Sequence, residues 1–149
     1  MASTHAREAR KLAMLLGGRK TLAHAVSEPG DFQDAIRKGL PFGTFEVLMR
    51  VLGIRALDLA RLLGLAARTL ARRKSGGELS PAESDRLYRI ARLALTAAEV
   101  LGTPEKAREW LHRRNRALGG ITPISCLDTA VGERQVEDLL GRIEHGISS

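Results

Sequence analysis

Glycine interrupts this chain at short intervals, and between the interruptions the apolar residues recur with a helical period. That pairing constrains the fold more than any other feature. Ala9, Leu12, Ala13 and Leu16 follow i, i+3, i+4, i+7 spacing over residues 6–16, and Gly17-Gly18 stops them. Residues 17–31 read as a loop or a loosely helical link. Asp31 is expected to cap a short helix through Lys38, ended by Gly39 and Pro41. Phe42, Phe45, Met49 and Leu52 line one helical face, which Gly53 closes. Two short helices follow, residues 57–63 and 66–74, with Gly64 between them and Ser75-Gly76-Gly77 behind.

The second half has the same grammar. Ser80-Pro81-Ala82-Glu83 combines a cap, a proline at the first helical position and a capping-box glutamate. The helix should run to about Leu101, with Leu87, Ile90, Ala91, Ala94, Ala98 and Leu101 on its apolar stripe and Gly102 at its end. Thr103-Pro104-Glu105 starts another helix, to about Arg114, with Ala107, Trp110 and Leu111 on one face. Residues 115–120 form a loop and 123–129 a short helix. Gly132 is expected to break the chain again. Val136, Leu139, Leu140 and Ile143 then mark a last helix from Glu133 to about His145, capped by Gly146, with Ile147, Ser148 and Ser149 as a free tail. Aromatics make up only 3% of the chain and β-branched residues are sparse, so the core must be built from Leu and Ala in an all-α fold.

The 149 residues suffice for a core without metals or disulfides, and a single cysteine excludes an intramolecular disulfide framework or a cysteine-based zinc finger. No apolar run approaches a membrane span, and Leu12-Ala13-Met14-Leu15-Leu16 is too short for a signal-peptide core, so the chain is expected in the cytosol. Net charge is +7 and it is unevenly distributed. Residues 1–80 hold 14 Lys+Arg against 7 Asp+Glu, whereas residues 81–149 hold 10 of each. A basic half beside a neutral half suggests that one half meets a polyanion and the other a different partner.

The short helices around Gly64 have the form of a helix-turn-helix. A recognition helix needs a narrow start and hydrogen-bond donors that reach the major groove. Ala66-Ala67 supplies the first; Arg68, Thr69, Arg72 and Arg73 supply the second, with Lys74 on a phosphate, while Leu70 turns back to the core. Residues 50–74 carry seven basic residues and one acidic residue, Asp58. A solvated basic helix is the competing interpretation. Enzyme chemistry finds little support: none of the four histidines has metal-ligand i, i+4 spacing to another, and Cys126 lies in the apolar stretch Ile124-Ser125-Cys126-Leu127, where a small buried side chain is the simpler explanation than a nucleophile served by His112 or His145 and Asp128.

The stretch Leu62-Leu63-Gly64-Leu65-Ala66-Ala67-Arg68-Thr69-Leu70-Ala71-Arg72-Arg73-Lys74 resembles the Xre-type helix-turn-helix of antitoxins in the Xre/MbcA/ParS family, and Leu79-Ser80-Pro81-Ala82-Glu83-Ser84-Asp85-Arg86-Leu87 resembles the segment after it. Ala107-Arg108-Glu109-Trp110-Leu111, then Asn115-Arg116-Ala117-Leu118-Gly119-Gly120-Ile121-Thr122-Pro123-Ile124, then residues 132–146 resemble the family's toxin-binding domain in order and spacing. The likeness covers about residues 35–149. Arg113-Arg114 depart from it, standing where a small residue or proline is expected.

The resemblance implies a type II antitoxin without enzymatic activity or cofactor. Its partner would be a RES-domain toxin that depletes NAD, whose cleft the C-terminal domain and tail would occlude. The chain would also repress its own promoter, associating with the nucleoid when bound to the operator. Three regions are expected: an N-terminal arm (1–30), the helix-turn-helix with its following long helix (31–100) and the toxin-binding domain (101–149). The toxin-facing residues would be Trp110, Leu111, Asn115, Arg134, Arg142, Glu144, His145, Gly146, Ile147, Ser148 and Ser149. Trp110 fits an interface hot spot or a core anchor equally. The short tail suits entry into a cleft, although frayed termini have the same composition. Helix-turn-helix proteins usually bind as dimers, so a homodimer is expected. A stand-alone repressor without a toxin is the alternative, and a small enzyme using Cys126 a more distant one.

Overall fold

The computed structural model describes residues 3–146, and among them the chain is helical throughout, with no strand beyond two isolated bridges. In chain order the helices are α1 (Thr4–Leu15), α2 (Gly18–Leu22), α3 (Pro29–Lys38), α4 (Phe42–Leu52), α5 (Ala56–Leu62), α6 (Ala67–Gly76), α7 (Pro81–Leu101), α8 (Pro104–Leu111) and α9 (Ala130–Glu144). Two 3₁₀ turns, Arg116–Leu118 and Pro123–Cys126, lie between α8 and α9. Two compact units divide within α7: residues 1–91 and residues 92–149.

Several elements differ from the expectation, each for a local reason. Ser3 accepts from the Ala6 N–H at 3.0 Å, so α1 begins at Thr4. The link after Gly17-Gly18 holds a helical turn, α2. Both glycines have positive φ, which lets the chain reverse and restart, and Leu22 is drawn into the core at 1% exposure. Asp31 is not the cap of α3 but sits one turn inside it; its carboxylate accepts from the Ser27 and Glu28 N–H groups at 2.9 and 3.0 Å. Those two bonds favour the ionised form and hold Asp31 below the usual carboxylate pKa. In α4 Leu48, rather than Met49, joins Phe42, Phe45 and Leu52 in the core. Helix α8 stops at Leu111, before Arg113-Arg114: His112 is its C-cap, and by Asn115 the backbone is extended and pairs with Ile121.

The first unit is centred on Leu12, Leu16, Leu22, Phe32, Leu40, Phe45, Leu48, Leu52, Leu59, Leu63, Leu87 and Ile90, all essentially inaccessible. Phe42 stacks on Phe45 with centroids 5.0 Å apart, and Phe32 meets Tyr88 edge-on at 5.2 Å. The segment after α6 clips back onto the start of α4. Gly77 accepts from the Phe42 N–H at 2.7 Å and Leu40 accepts from the Leu79 N–H at 2.9 Å. Fully buried Ser84 completes the clip by accepting from the Leu40 N–H at 2.8 Å.

The second unit packs Leu93, Ala94, Ala97, Ala107, Leu111, Leu127, Val136, Leu139 and Leu140. Here Gly132, expected to break the chain, lies inside α9. Thr129 caps that helix three residues earlier, its hydroxyl accepting from the Gly132 N–H at 3.0 Å. Gly132 has another task. A Cβ there would overlap the Cys126 carbonyl oxygen, so only glycine lets the 3₁₀ turn lie against the first turn of α9.

Gly132 and Gly141 share α9 but not this constraint, since nothing lies within 4 Å of a Cβ at Gly141. Gly132→Ala should therefore destabilise by about 1–3 kcal/mol, through overpacking. Gly141→Ala should stabilise by about 0.5–1 kcal/mol, through helix propensity. Urea denaturation of the two variants beside the parent chain checks both signs.

Candidate nucleic-acid interface and partner-binding unit

In the first unit α5 and α6 meet at a turn with no spare room. Leu65 N–H donates to Ala60 O at 2.7 Å and Gly64 N–H to Arg61 O at 3.1 Å, with Gly64 at φ +74°. Arg86, reaching over from α7, donates to the Leu63 carbonyl at 3.0 Å. A Cβ on Gly64 would run into that guanidinium, so glycine is required by both backbone angle and space.

Helix α6 presents different chemistry on each side. Leu70 faces the core at 9% exposure. Ala67, Ala71 and Lys74 line a shallow apolar groove of about 280 Å³ with Phe42, Phe45 and Met49. Opposite Leu70, at 100° per residue, stand Arg68 and Arg72, both exposed, with Ala66 exposed at the helix start. Thr69 is half-buried at their side and Lys74 is exposed. No bulky side chain shields the start of the helix, so the outward pole is narrow and cationic, as entry into a major groove demands.

Arg73 does not join that pole. Its Nε and Nη2 donate to the two carboxylate oxygens of Glu83 at 2.9 and 3.3 Å, with only 26% and 14% of the two side chains exposed. Arg73 is thereby committed to joining α6 to α7. Glu83 also accepts from the Ser80 N–H at 2.8 Å, while Ser80 Oγ accepts from the Glu83 N–H at 3.2 Å, completing the capping box. Burial alone would raise the Glu83 pKa. The Arg73 hydrogen bonds, the Ser80 N–H and the Arg73 charge outweigh it and hold the carboxyl below its ordinary value, and Glu83 in turn raises Arg73. The capping box was legible in the sequence, but the bond to Arg73 was not, because it spans ten residues and two helices. Arg86 carried no sequence signal as the lock of the turn.

In the second unit the expected partner-facing residues separate. Leu111 is 1% exposed and belongs to the core, so it is corrected from the expected surface set. Trp110 is half-buried beside Arg113, Arg114, Asn115, Arg116 and Ala117, which line a groove of about 350 Å³. Asn115 organises the loop below: its side-chain oxygen accepts from the Ala117 N–H at 2.9 Å, its carbonyl accepts from the Gly120 N–H at 2.9 Å, and its N–H donates to Ile121 at 2.9 Å. On α9 Val136, Leu139 and Leu140 are buried, while Arg134, Arg142 and Glu144 are exposed, followed by exposed His145 and Gly146. The expectation for Ile147, Ser148 and Ser149 lies outside the described residues. Cys126 Sγ donates to the Thr122 carbonyl at 3.6 Å; burial, aided by the negative charge of Asp128 and opposed by a hydrogen bond from Ser125, pushes its pKa up, away from the thiolate that a nucleophile needs.

These features define a helix-turn-helix protein carrying a second, separate helical unit. Residues 31–92 match the Antitoxin Xre-like helix-turn-helix domain, and residues 96–146 match the Antitoxin Xre/MbcA/ParS C-terminal toxin-binding domain. The chain is 37% identical over 126 residues to Antitoxin Xre of Photorhabdus laumondii, covering 83% of this chain and 85% of that one. It is 32% identical over 118 residues to Antitoxin Xre of Yersinia enterocolitica, covering 78% and 80%. With a Sphingobium protein named Prs ADP-ribosylating antitoxin it shares 25% identity over 130 residues, 80% and 82% of the two chains. The chain belongs to the Xre/MbcA/ParS family of antitoxins. The family's toxin-binding domain implies a toxin partner, and the helix-turn-helix implies DNA. No helix among the described residues is long and apolar enough to cross a membrane.

Because Glu83 ionises more readily in the folded chain than at its ordinary value of 4.5, its stabilising contribution is complete above that value and fades as pH falls through the lower folded pKa. Glu83→Gln should therefore lower the melting midpoint by a few degrees at pH 7, and the gap to the parent chain should close in acid. Thermal melts followed by circular dichroism across that range check it.

Proposed function

We propose that this antitoxin neutralises a RES-domain, NAD-depleting toxin by covering its active-site cleft with the second unit and the end of the chain, and that it represses its own promoter through α6 as a homodimer. The observation that carries this reading is the coincidence of two family domains with two compact units of different charge. The second unit has the residues to meet a protein, and α9 supports its part: with Val136, Leu139 and Leu140 inward, Arg134, Arg142, Glu144 and His145 are left facing out. Arg142, near the chain end, suits a cleft built to accept an anionic pyrophosphate. The name of the Sphingobium relative refers to ADP-ribosylation, chemistry of the moiety that an NAD-cleaving enzyme also handles.

For DNA, Arg68 and Arg72 are the base-reading candidates and Lys74 a phosphate contact, with Thr69 beside them. Arg73 is left out of this set because Glu83 holds it. A two-fold dimer would read half-sites about 34 Å apart.

Growth and promoter binding separate the two roles. Arg72→Ala should cost about 1–3 kcal/mol of specific promoter affinity if it reads a base, whereas Lys74→Ala should weaken all sequences alike and flatten the salt dependence. The double variant Arg68→Ala/Arg72→Ala should lose the promoter footprint yet fully protect cells that express the toxin. Removal of residues 146–149 should reduce protection more than binding. Full protection by that truncation would refute occlusion by the chain end, and failure of the double variant to protect would refute the separation of roles.

A further inference from the structure

The two arginines that follow α8, Arg113 and Arg114, and the one that opens the first 3₁₀ turn, Arg116, are unlike the other charges of their unit. Residues 92–149 hold eight Lys+Arg and eight Asp+Glu, a neutral balance. Between Glu109 and Asp128, however, there is no acidic residue, and Arg113, Arg114 and Arg116 fall within four positions. All three are exposed, and no carboxylate among the described residues pairs with them. They stand around the half-buried ring of Trp110 in the groove of about 350 Å³. The loop beneath is fixed by the three Asn115 bonds and by Gly119 and Gly120 at φ +76° and +88°, so the guanidiniums project from an ordered base. Ile121, which pairs with Asn115, is 51% exposed at the same loop. Uncompensated arginines on a fixed loop beside an aromatic ring are the composition of a binding hot spot.

We propose that this groove receives an acidic segment of the toxin, with its carboxylates on Arg113, Arg114 and Arg116 and an apolar side chain on Trp110. The contact rests on the reading that the second unit binds the toxin, and it names the chemistry by which one toxin is told from another. A compact acidic segment fits better than a nucleic acid. A polyanion long enough to give strong binding needs a stripe of cations, but this unit carries Glu133, Glu137, Asp138 and Glu144 on α9 and has no net charge to offer it. Complementary charge of this kind acts on encounter rate and partner choice.

The test uses the full chain, the purified RES-domain toxin co-expressed with it, and a random-sequence DNA duplex. Two variants are compared with the parent: Arg113→Glu/Arg114→Glu/Arg116→Glu, and the same three positions changed to Gln. At low salt the Glu variant should associate with the toxin at least about tenfold more slowly, the Gln variant should fall between, and the differences should shrink as salt rises. Promoter affinity should not change. Unchanged toxin association in both variants overturns the proposal, as does a loss confined to the random duplex, which would assign the groove to nucleic acid. If the parent chain itself fails to bind the toxin, the underlying reading of the second unit falls, and this contact falls with it. The milder Gln variant keeps the outcome readable if the Glu variant folds poorly.

Discussion

The Glu83 carboxylate is the joint on which the DNA-facing part of this antitoxin depends. It caps its own helix through the Ser80 N–H and holds α6 through Arg73. One turn further along α7, Arg86 caps the carbonyl end of α5 and fills the space over Gly64. The long helix therefore fixes both members of the helix-turn-helix by charged hydrogen bonds, which are stronger than neutral ones and geometrically specific. Short helices have little stability of their own, and α5 has only seven residues. Their mutual angle is held by the Gly64 turn from within and by α7 from outside.

This arrangement explains why the basic residues of α6 do not act as one group. Arg68, Arg72, Arg73 and Lys74 look equivalent in the chain, but a helix of 3.6 residues per turn sends them in different directions. Arg73 points towards α7 and becomes structural. Lys74 lies by the apolar groove, where its stem can cover carbon while its ammonium stays in water. Arg68 and Arg72 stand opposite Leu70, on the outward pole of the helix, and Lys74 is exposed at its flank.

What was legible in the sequence follows from interaction range. Helices α4 to α7 were readable because their signals are local: Gly53, Gly64, the capping box of Ser80 and Glu83, the stripe from Leu87 to Ala94. Gly132 misled for the opposite reason. Locally it resembles a break, but its role is a close approach to the Cys126 carbonyl, which depends on how the preceding turn packs. The helix at Gly18–Leu22 reads only as a loop or a loosely helical link, because five residues give no periodicity to separate the two. Leu111 was placed at the surface with Trp110, its neighbour, although adjacent helical positions differ by 100°; the structure buries one and half-exposes the other. The bond from Arg73 to Glu83 needed the fold itself.

Charge partition follows the physical boundary as well as the midpoint of the chain. Residues 1–91 hold 16 Lys+Arg and 9 Asp+Glu, so the entire excess of the molecule still falls in the first unit. Among the described residues of that unit, Arg37 pairs with Asp34, Arg55 with Asp58, Arg73 with Glu83 and Arg89 with Asp85. None of these pairs includes Arg68, Arg72 or Lys74. Of the α6 cations only Arg73 is neutralised in this way, which leaves Arg68 and Arg72 uncompensated on the outward side of the helix. A field of this kind reaches only about 10 Å at moderate salt. Under the proposed function such a field would draw a polyanion to the first unit, while the neutral second unit would choose its partner by shape, by the Trp110 ring and by the charge that partner brings to the arginine loop.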